Sequence, residues 1–194
     1  MKKLSTNTWM CIFSICLIIH MLITHVQFIN LNNKILELDY NQKLTLRQVQ
    51  INELDINKVD KEVNKIIEKY SLKYGVDKNL VKAISIVESG GKHYKNENQD
   101  VKTSPTGAIG IMQLMPQTAK NMNVNPYSLD ENIKGATKYL AYLDKKFKGN
   151  TDLVISAYNT GEGNVTKHGG VPSYTRGYIN KVKKEKAKLD DKNN

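Results

Sequence analysis

DKNLVKAISIVESGG, residues 77–91, predicts the helix around which the fold is organised. Its apolar positions recur at helical spacing and surround nearly the whole helix: Leu80, Val81, Ala83, Ile84, Ile86 and Val87. We expect Asp77 to cap its start and Ser89-Gly90-Gly91 to end it, because aspartate favours N-caps and glycine favours helix ends. A helix that is apolar nearly all round is normally buried, so this one is predicted at the centre of a core.

A carboxylate, Glu88, ends this helix. Partial burial and the negative end of the helix dipole would both favour its protonated form. A glutamic acid that stays protonated near neutral pH is what a general acid for glycoside cleavage requires. The alternative is an ordinary surface glutamate, turned to solvent by the Ser-Gly-Gly sequence. The helix pattern alone leaves both interpretations open.

Helical periodicity continues on both sides of this segment, and the fold class is predicted as mainly α. The other helices are bounded by capping and stop residues: about 56 to Gly75, Pro116 to about Met122, Asp130 to Gly149, Thr151 or Asp152 to Gly161, and one from about Thr175. The domain is predicted over residues 56–183, with one long loop from Gly90 to Gly110 and a charged, frayed tail over 184–194.

The N-terminus predicts a membrane anchor over residues 1–29. Lys2 and Lys3 precede an uncharged run from Trp9 to Ile29, which at about 1.5 Å per residue reaches the roughly 30 Å of a bilayer core. Positive charge before the run favours a cytoplasmic N-terminus and an exported remainder. A cleaved signal peptide is the alternative, but residues 24–33 (THVQFINLNN) lack its pair of small residues. Residues 30–55 keep neither a helical nor a strand period and are predicted as a stalk.

Composition narrows the function classes. The chain has 194 residues, 40% hydrophobic and 25% charged, as folded proteins do. A net charge of +10 would suit nucleic acid, an anionic membrane or an anionic polymer such as cell wall. Only Arg47 and Arg176 among the 29 basic residues are arginines, however, and phosphate and guanine are best bound by arginine's planar fork. This composition weakens the nucleic-acid interpretation, and no RRM, HTH or zinc motif supports it, so we expect no nucleic-acid partner.

Cysteine and histidine usage gives no metal-site pattern. Cys11 and Cys16 lie in the apolar N-terminal run, and no cysteine follows them, which leaves the rest of the chain without a disulfide framework or a cysteine-based zinc site. The four histidines are widely spread, and no HExxH sequence occurs. We expect neither a metal nor a cofactor.

Several segments, in order, resemble the motifs of the soluble lytic transglycosylase (SLT) family. They are residues 83–90 (AISIVESG), 104–116 (SPTGAIGIMQLMP), 131–140 (ENIKGATKYL), 157–161 (AYNTG) and 174–179 (YTRGYI). Each motif alone is weak to moderate, whereas their order and spacing over about residues 67–182 are highly specific. The stretch between Glu88 and Ser104 looks longer than is usual in the family.

The resemblance implies a lysozyme-like helical fold and cleavage of the β-1,4 bond between N-acetylmuramic acid and N-acetylglucosamine. It also implies roles for side chains: Glu88 is the acid and then the base, Ser104, Gln113 and Met115 line the sugar cleft, Tyr158 orients Glu88, Asn159 holds the acetamido region, and Tyr178 lies close to Glu88. The implied partners are peptidoglycan glycan strands, the membrane through the N-terminal helix, and possible envelope or secretion assemblies.

A single-acid mechanism is consistent with the remaining residues. Glycosidases with two carboxylates need a second acid about 5 to 9.5 Å from the first. The other acids of the domain fall in loops or on charged faces, outside the motifs: Glu97, Asp100, Asp130, Glu131 and Glu162. Substrate groups would then stabilise and attack the anomeric centre, giving a 1,6-anhydro sugar. A lysozyme-like hydrolase of the same bond and an inactive peptidoglycan-binding module remain as alternatives.

Overall fold

The structure is a computed structural model that describes residues 6–96 and 98–192, without the side chains of 6–8, 55 and 56. Lys2 and Lys3, on which the predicted orientation of the anchor depends, lie outside the described residues, as do Glu97 and the last two residues of the predicted tail. The chain divides into two compact units, residues 1–58 and 59–194, and each is described by itself.

The described residues of the first unit all belong to one helix. Helix α1 spans Thr6–Tyr74, and its described side chains before residue 59 are exposed. Among the described helices, α1 alone is long and apolar enough to cross a membrane. Its apolar 18-residue window has a mean hydropathy of 2.1, and no part of that window is buried. Membrane spans and export signals share these properties, so both interpretations of the N-terminus stand.

Residues 30–55, predicted as a stalk of uncertain secondary structure, are helical. The chain has no glycine or proline before Gly75, so nothing interrupts the helix. Side chains one turn apart support it: Lys43 binds Asp39 at 2.7 Å, and Gln48 donates to Asn52 at 3.2 Å. The absence of a clear apolar period in this segment therefore reflects a helix whose apolar residues do not lie on a single face.

The second unit is a bundle of short helices. After the end of α1 come α2 (Lys78–Ser89), α3 (Pro116–Met122), α4 (Leu129–Lys146), α5 (Thr151–Thr160), α6 (Glu162–Lys167) and α7 (Arg176–Asp191), with a 3-10 turn at Ser173–Thr175 before α7. The described residues contain no strand, only three isolated β-bridges between positions 94 and 114. The mainly α fold class is confirmed.

Helix α2 lies in the core, as its sequence predicts. Val81, Ala83 and Ile84 are completely buried, Leu80 nearly so, and helix α7 packs along α2. The remaining core includes the apolar face of α4 and the end of α1: Ile133, Ala136, Leu140, Leu143, Val63, Ile67 and Tyr70. Asp77 caps α2 through the amide groups of residues 79 and 80, and Gly90 ends it in the left-handed conformation, as predicted.

Two predicted helix caps are wrong by one or two residues. Ser128, not Asp130, caps α4, and Asn150, not Thr151 or Asp152, caps α5. Serine and asparagine are as good at an N-cap as aspartate, so type alone could not choose among neighbours. The carboxylate of Asp130 instead accepts hydrogen bonds from Lys69 at 3.1 Å and Tyr70 at 2.5 Å, which join α4 to the end of α1.

The C-terminal segment differs from the predicted frayed tail. Residues 184–191 continue α7, and Lys186 binds both Asp190 at 2.9 Å and the α2 cap Asp77 at 2.8 Å. Its charges are thus paired across the fold as well as solvated. Helix α6 is also unpredicted, because six residues are too short to show a period.

One buried asparagine connects α4 to the loop before α3. Asn132 is fully buried, accepts from the amide of Met112 at 2.9 Å, and donates to the carbonyls of Ile109 and Pro126, each at 2.8 Å. Buried polar groups are costly unless they are bonded, so these bonds specify one path for the loop. Gly110 lies against this side chain, and a Cβ there would approach Asn132 Nδ2 and His93 Cε1 to 2.6 Å.

Replacing Gly110 by alanine is expected to lower the free energy of unfolding by about 2–4 kcal/mol, because a Cβ adds a clash to an unfavourable positive φ. Gly107→Ala is the matched control, since Gly107 has a φ of +86 and open space where its Cβ would be. It should cost only about 1–2 kcal/mol, for the backbone strain alone. Denaturant melts of the full chain in detergent measure both, and equal losses would contradict the close-packing argument.

Candidate active site

Glu88 lies in the last turn of α2, where the buried helix meets the surface. Its side chain is half-buried, and its Oε1 accepts a hydrogen bond of 2.5 Å from the hydroxyl of Tyr178. Burial raises the pKa of the Glu88 carboxyl above its ordinary value of 4.5, and the bond from Tyr178 lowers it by a smaller amount. Of the two interpretations that the helix pattern left open, the structure has the partly buried carboxyl, and its pKa is shifted in the direction that burial favours.

Tyr178 reaches Glu88 because α7 begins beside the end of α2. The next residue in α7, Ile179, is buried in the core, which directs the first turn of α7 toward α2. Burial and the negative charge of Glu88 raise the pKa of Tyr178, so its hydroxyl stays protonated and is a constant donor. The closeness of Tyr178 to Glu88 agrees with what the motif resemblance implies.

Tyr158 approaches the same site from α5. Burial, together with the negative charge of Glu88, raises its pKa well above the ordinary value. An orienting role would suggest a hydrogen bond from the Tyr158 hydroxyl to Glu88. The hydroxyl instead donates to the carbonyl of Met112 at 2.8 Å. Tyr158 therefore joins the loop beyond Ile111 to the helix that carries the AYNTG motif.

The loop after Gly110 places Gln113 and Met115. Gln113 has a left-handed backbone with φ of 46°, and its side chain amide donates to the carbonyl of Gly110 at 2.8 Å. Met115 precedes α3 and is 45% exposed, so an apolar surface is available for a ligand. Pairing of Ile109 with Leu114 holds the two ends of this loop together.

The two other predicted substrate residues are placed less directly. The hydroxyl of Ser104 bonds within its own turn, accepting from the amide of Ala108 at 3.0 Å and pairing with Thr106 at 2.9 Å. Asn159 is exposed near the end of α5, next to Tyr158 in the chain. Hydrogen bonds thus join Glu88 to Tyr178 and Tyr158 to Met112, whereas Ser104 and Asn159 lie outside these connections.

Sequence reasoning missed the polar residues that hold this loop. His93 is buried; its Nδ1 accepts from the amide of Ile111 at 3.1 Å, and its Nε2 lies 3.0 Å from the carbonyl of Tyr127. Burial lowers the pKa of His93, while the bond to Tyr127 raises it less, so the neutral ring is favoured. Asn132 could have been noticed because it lies in the family-like segment 131–140. His93, a single histidine in a loop, carried no such signal.

The influences on the pKa of Glu88 are burial and the hydrogen bond from Tyr178. Glu162 binds Lys146 and accepts from Tyr142 at 2.8 Å. Within the described part of the chain, no three His, Cys, Asp or Glu residues lie together as metal ligands would.

A family match covers this site and the helices around it. Residues 65–182 match the family described as "Transglycosylase SLT domain". The chain belongs to the SLT transglycosylase family. Glu88, Tyr158 and Tyr178 all fall within the matched range, as do the loop of Gln113 and the buried Asn132.

Known relatives of this SLT domain are larger than the chain. Membrane-bound lytic murein transglycosylase C of Actinobacillus pleuropneumoniae is 33% identical over 121 residues, 53% of this chain and 31% of the relative. Membrane-bound lytic murein transglycosylase E of Buchnera aphidicola is 34% identical over 120 residues, 55% of this chain and 51% of the relative. The chain thus matches between a third and a half of these relatives' lengths.

A solved structure shares the fold. The 70 kDa soluble lytic transglycosylase SLT70 of Escherichia coli aligns with a TM-score of 0.55 and 27% identity, over 64% of this chain and 23% of that protein. The lysozyme-like SLT fold predicted from the motifs is confirmed.

Glu88→Gln is expected to make the SLT domain more stable at neutral pH. Because folding raises the pKa of Glu88, its contribution to stability is complete below the ordinary value of 4.5 and is lost as the pH rises through the folded-state pKa. Glutamine cannot ionise but keeps the oxygen that accepts from Tyr178. The melting temperature of the variant in detergent should exceed that of the wild type at pH 7, and the difference should shrink toward pH 4.

Glu162→Gln provides the opposite sign. Burial raises the pKa of Glu162, but hydrogen bonds from Lys146 and Tyr142 outweigh it and leave the pKa below its usual value. The ionised form therefore stabilises the fold above pH 4.5, and the variant should melt lower than the wild type at pH 7. A lower melting temperature for Glu88→Gln as well would contradict the desolvated state of Glu88.

Proposed function

We propose that this chain is a peptidoglycan lytic transglycosylase that cleaves the β-1,4 bond between N-acetylmuramic acid and N-acetylglucosamine. The observation that carries the proposal is Glu88, a half-buried acid of raised pKa held by one donor, Tyr178, at the end of a core helix. Membership of the SLT family and the printed names of the relatives, lytic murein transglycosylases, support the same activity.

In the first step, Glu88 acts as the general acid. The carboxyl donates its proton to the glycosidic oxygen while the bond from that oxygen to the anomeric carbon breaks. The acetamido oxygen of the muramic acid stabilises the positive charge that develops on this carbon. Tyr178 holds the carboxyl in one orientation throughout and strengthens its bond as Glu88 becomes negative.

In the second step, the Glu88 carboxylate acts as the base. The 6-hydroxyl of the same muramic acid attacks the anomeric carbon and transfers its proton to Glu88, which restores the acid. The product is a 1,6-anhydro sugar, and no water is consumed. Other acids of the domain are bonded elsewhere, Asp130 to Lys69 and Tyr70 and Glu162 to Lys146 and Tyr142, which supports substrate assistance over a carboxylate nucleophile.

The remaining predicted site residues are proposed to bind the glycan strand. The exposed side chain of Met115 offers an apolar contact for a sugar face, and Gln113 and Ser104 offer polar groups along the cleft. Asn159 would hold the acetamido group, which fits its exposure beside Tyr158. Tyr158 contributes by fixing the loop at Met112 rather than by a bond to Glu88.

Mass spectrometry of muropeptides tests the activity and the reaction type. Purified sacculi digested with the full chain in detergent should yield 1,6-anhydromuramic ends, and Glu88→Gln should lower their rate of release by about 10²–10⁴-fold, the usual contribution of a general acid. Glu62→Gln, an exposed carboxylate on α1, is the matched control and should retain wild-type activity.

Reducing ends without anhydro sugar would show a lysozyme-like hydrolase instead. Binding to sacculi without any cleavage would show a peptidoglycan-binding module. Equal rates for Glu88→Gln and Glu62→Gln would contradict the assignment of Glu88.

We also propose that α1 anchors the protein in the membrane by a single span with the SLT domain outside the cytoplasm. The apolar window of α1 and the membrane-bound names of relatives support membrane association. In spheroplasts, from which the cell wall has been removed, externally added protease should digest the SLT domain of the membrane-bound protein. Protection from protease would contradict this orientation, and recovery of the protein in the medium would favour a cleaved signal.

A further inference from the structure

Within the stretch between Glu88 and Ser104, residues 93–95 pair with residues 100–102 as the two arms of a hairpin. Tyr94 pairs with Val101 in an antiparallel bridge, and the amide of Lys95 donates to the carbonyl of Asp100 at 2.8 Å. The side chain of Asn96 bonds the carboxylate of Asp100 at 2.9 Å. The hairpin therefore has regular pairing that leads down to its base at His93 and Lys102.

Lys102 at this base makes contacts in three directions. Its amide donates to the carbonyl of His93 at 2.8 Å, and its own carbonyl accepts from the amide of Gly110 at 2.7 Å. Its side chain ammonium donates to the carbonyl of Ser89 at 2.6 Å. One residue thus connects the hairpin, the loop of Gln113 and the end of helix α2.

The Ser89 carbonyl is next to the catalytic position. Ser89 is the last residue of α2 and directly follows Glu88. The last carbonyl groups of a helix have no partner within it and lie at the negative end of its dipole, so a cation there is favourable. The hydroxyl of Ser89 is bonded as well, donating to the carbonyl of Ile111 at 2.7 Å and accepting from the amide of Lys92 at 3.1 Å.

The contact between Lys102 and Gly110 connects Lys102 to the loop that carries Gln113. The carbonyl of Gly110 accepts from the side chain of Gln113, which is proposed to bind the glycan. Lys102 therefore touches the residue after Glu88 through its side chain and the residue that holds Gln113 through its backbone. Glu88 and Gln113, which are both proposed to contact the glycan, are therefore each connected to Lys102 through a neighbouring residue.

We propose that Lys102 is a positioning residue, whose ammonium fixes the end of α2 and so sets the place of Glu88 relative to the loop of Gln113. This role rests on the proposed transglycosylase function. Lys102 touches neither Glu88 nor the loop's polar side chains directly, so it acts on orientation. Small displacements of a reacting group cost large factors in rate, since the bound geometry must be close to that of the reaction.

Lys102→Met tests the role, because methionine keeps an apolar stem and loses the ammonium. We expect kcat on soluble glycan strands to fall by about tenfold, with KM within about twofold of wild type and an unchanged pH profile. Lys102→Arg restores a cationic donor and should recover most of kcat. Lys95→Met is the matched control, an exposed lysine of the same hairpin, and should behave as wild type.

A second measurement does not depend on activity. Hydrogen exchange of the full chain in detergent should be faster at the amides of Gly90 and Gly91, which close the end of α2, in Lys102→Met than in Lys95→Met. Equal exchange in the two variants would overturn the inference whether or not the chain cleaves peptidoglycan.

The kinetic outcomes separate the inference from the proposed function. An inactive wild type would refute the function, and an active Glu88→Gln would refute the assignment of Glu88. In either case hydrogen exchange decides the role of Lys102. An active wild type with equal kcat for Lys102→Met and Lys95→Met would refute only the inference. So would a fall in kcat that matches the unfolded fraction, a rise in KM alone, or no recovery in Lys102→Arg.

Discussion

Helix α2 is enclosed by apolar side chains along most of its length, and its last turn has to leave that environment. Val81, Ala83 and Ile84 have no exposed surface, whereas Glu88 one turn later is half-buried. An acid in this position loses part of its hydration without gaining a cation, and its proton becomes harder to remove. The burial that stabilises the domain therefore also shifts the pKa of this carboxyl in the direction that the proposed general acid requires.

The surroundings of Glu88 hold it without neutralising it. Tyr178 supplies one hydrogen bond from α7, and Tyr158 presents its hydroxyl to Met112 instead of to the carboxylate. A cation or several donors at Glu88 would lower its pKa and remove the acid at neutral pH. Lys102 brings a positive charge to the end of α2, but its ammonium is bonded to the backbone carbonyl of Ser89 and not to the carboxylate.

Buried polar groups give the loop that carries Gln113 its shape. Asn132 and His93 together bond the backbone at residues 109, 111 and 112, and Gly110 passes between their side chains. Loops cannot bury unpaired backbone groups, so each of these bonds removes alternative paths for the chain. The position of Gln113 is thus determined from α4 and from the hairpin, two elements distant from it in sequence.

The sequence by itself determined the local features. Helical period and stop residues located the end of α1, helices α2 to α5 and the start of α7, because these signals act within one or two turns, although the caps of α4 and α5 were misplaced. The apolar circumference of α2 predicted its burial. The ordered motifs predicted the family and named Glu88. Only the tertiary structure decided that Tyr158 bonds Met112, that residues 184–191 pair with the start of α2, and that Asn132, His93 and Lys102 support the site. Such contacts join residues far apart in the chain. A buried polar side chain needs a hydrogen-bond partner, but its own sequence neighbourhood does not indicate which distant residue that partner is.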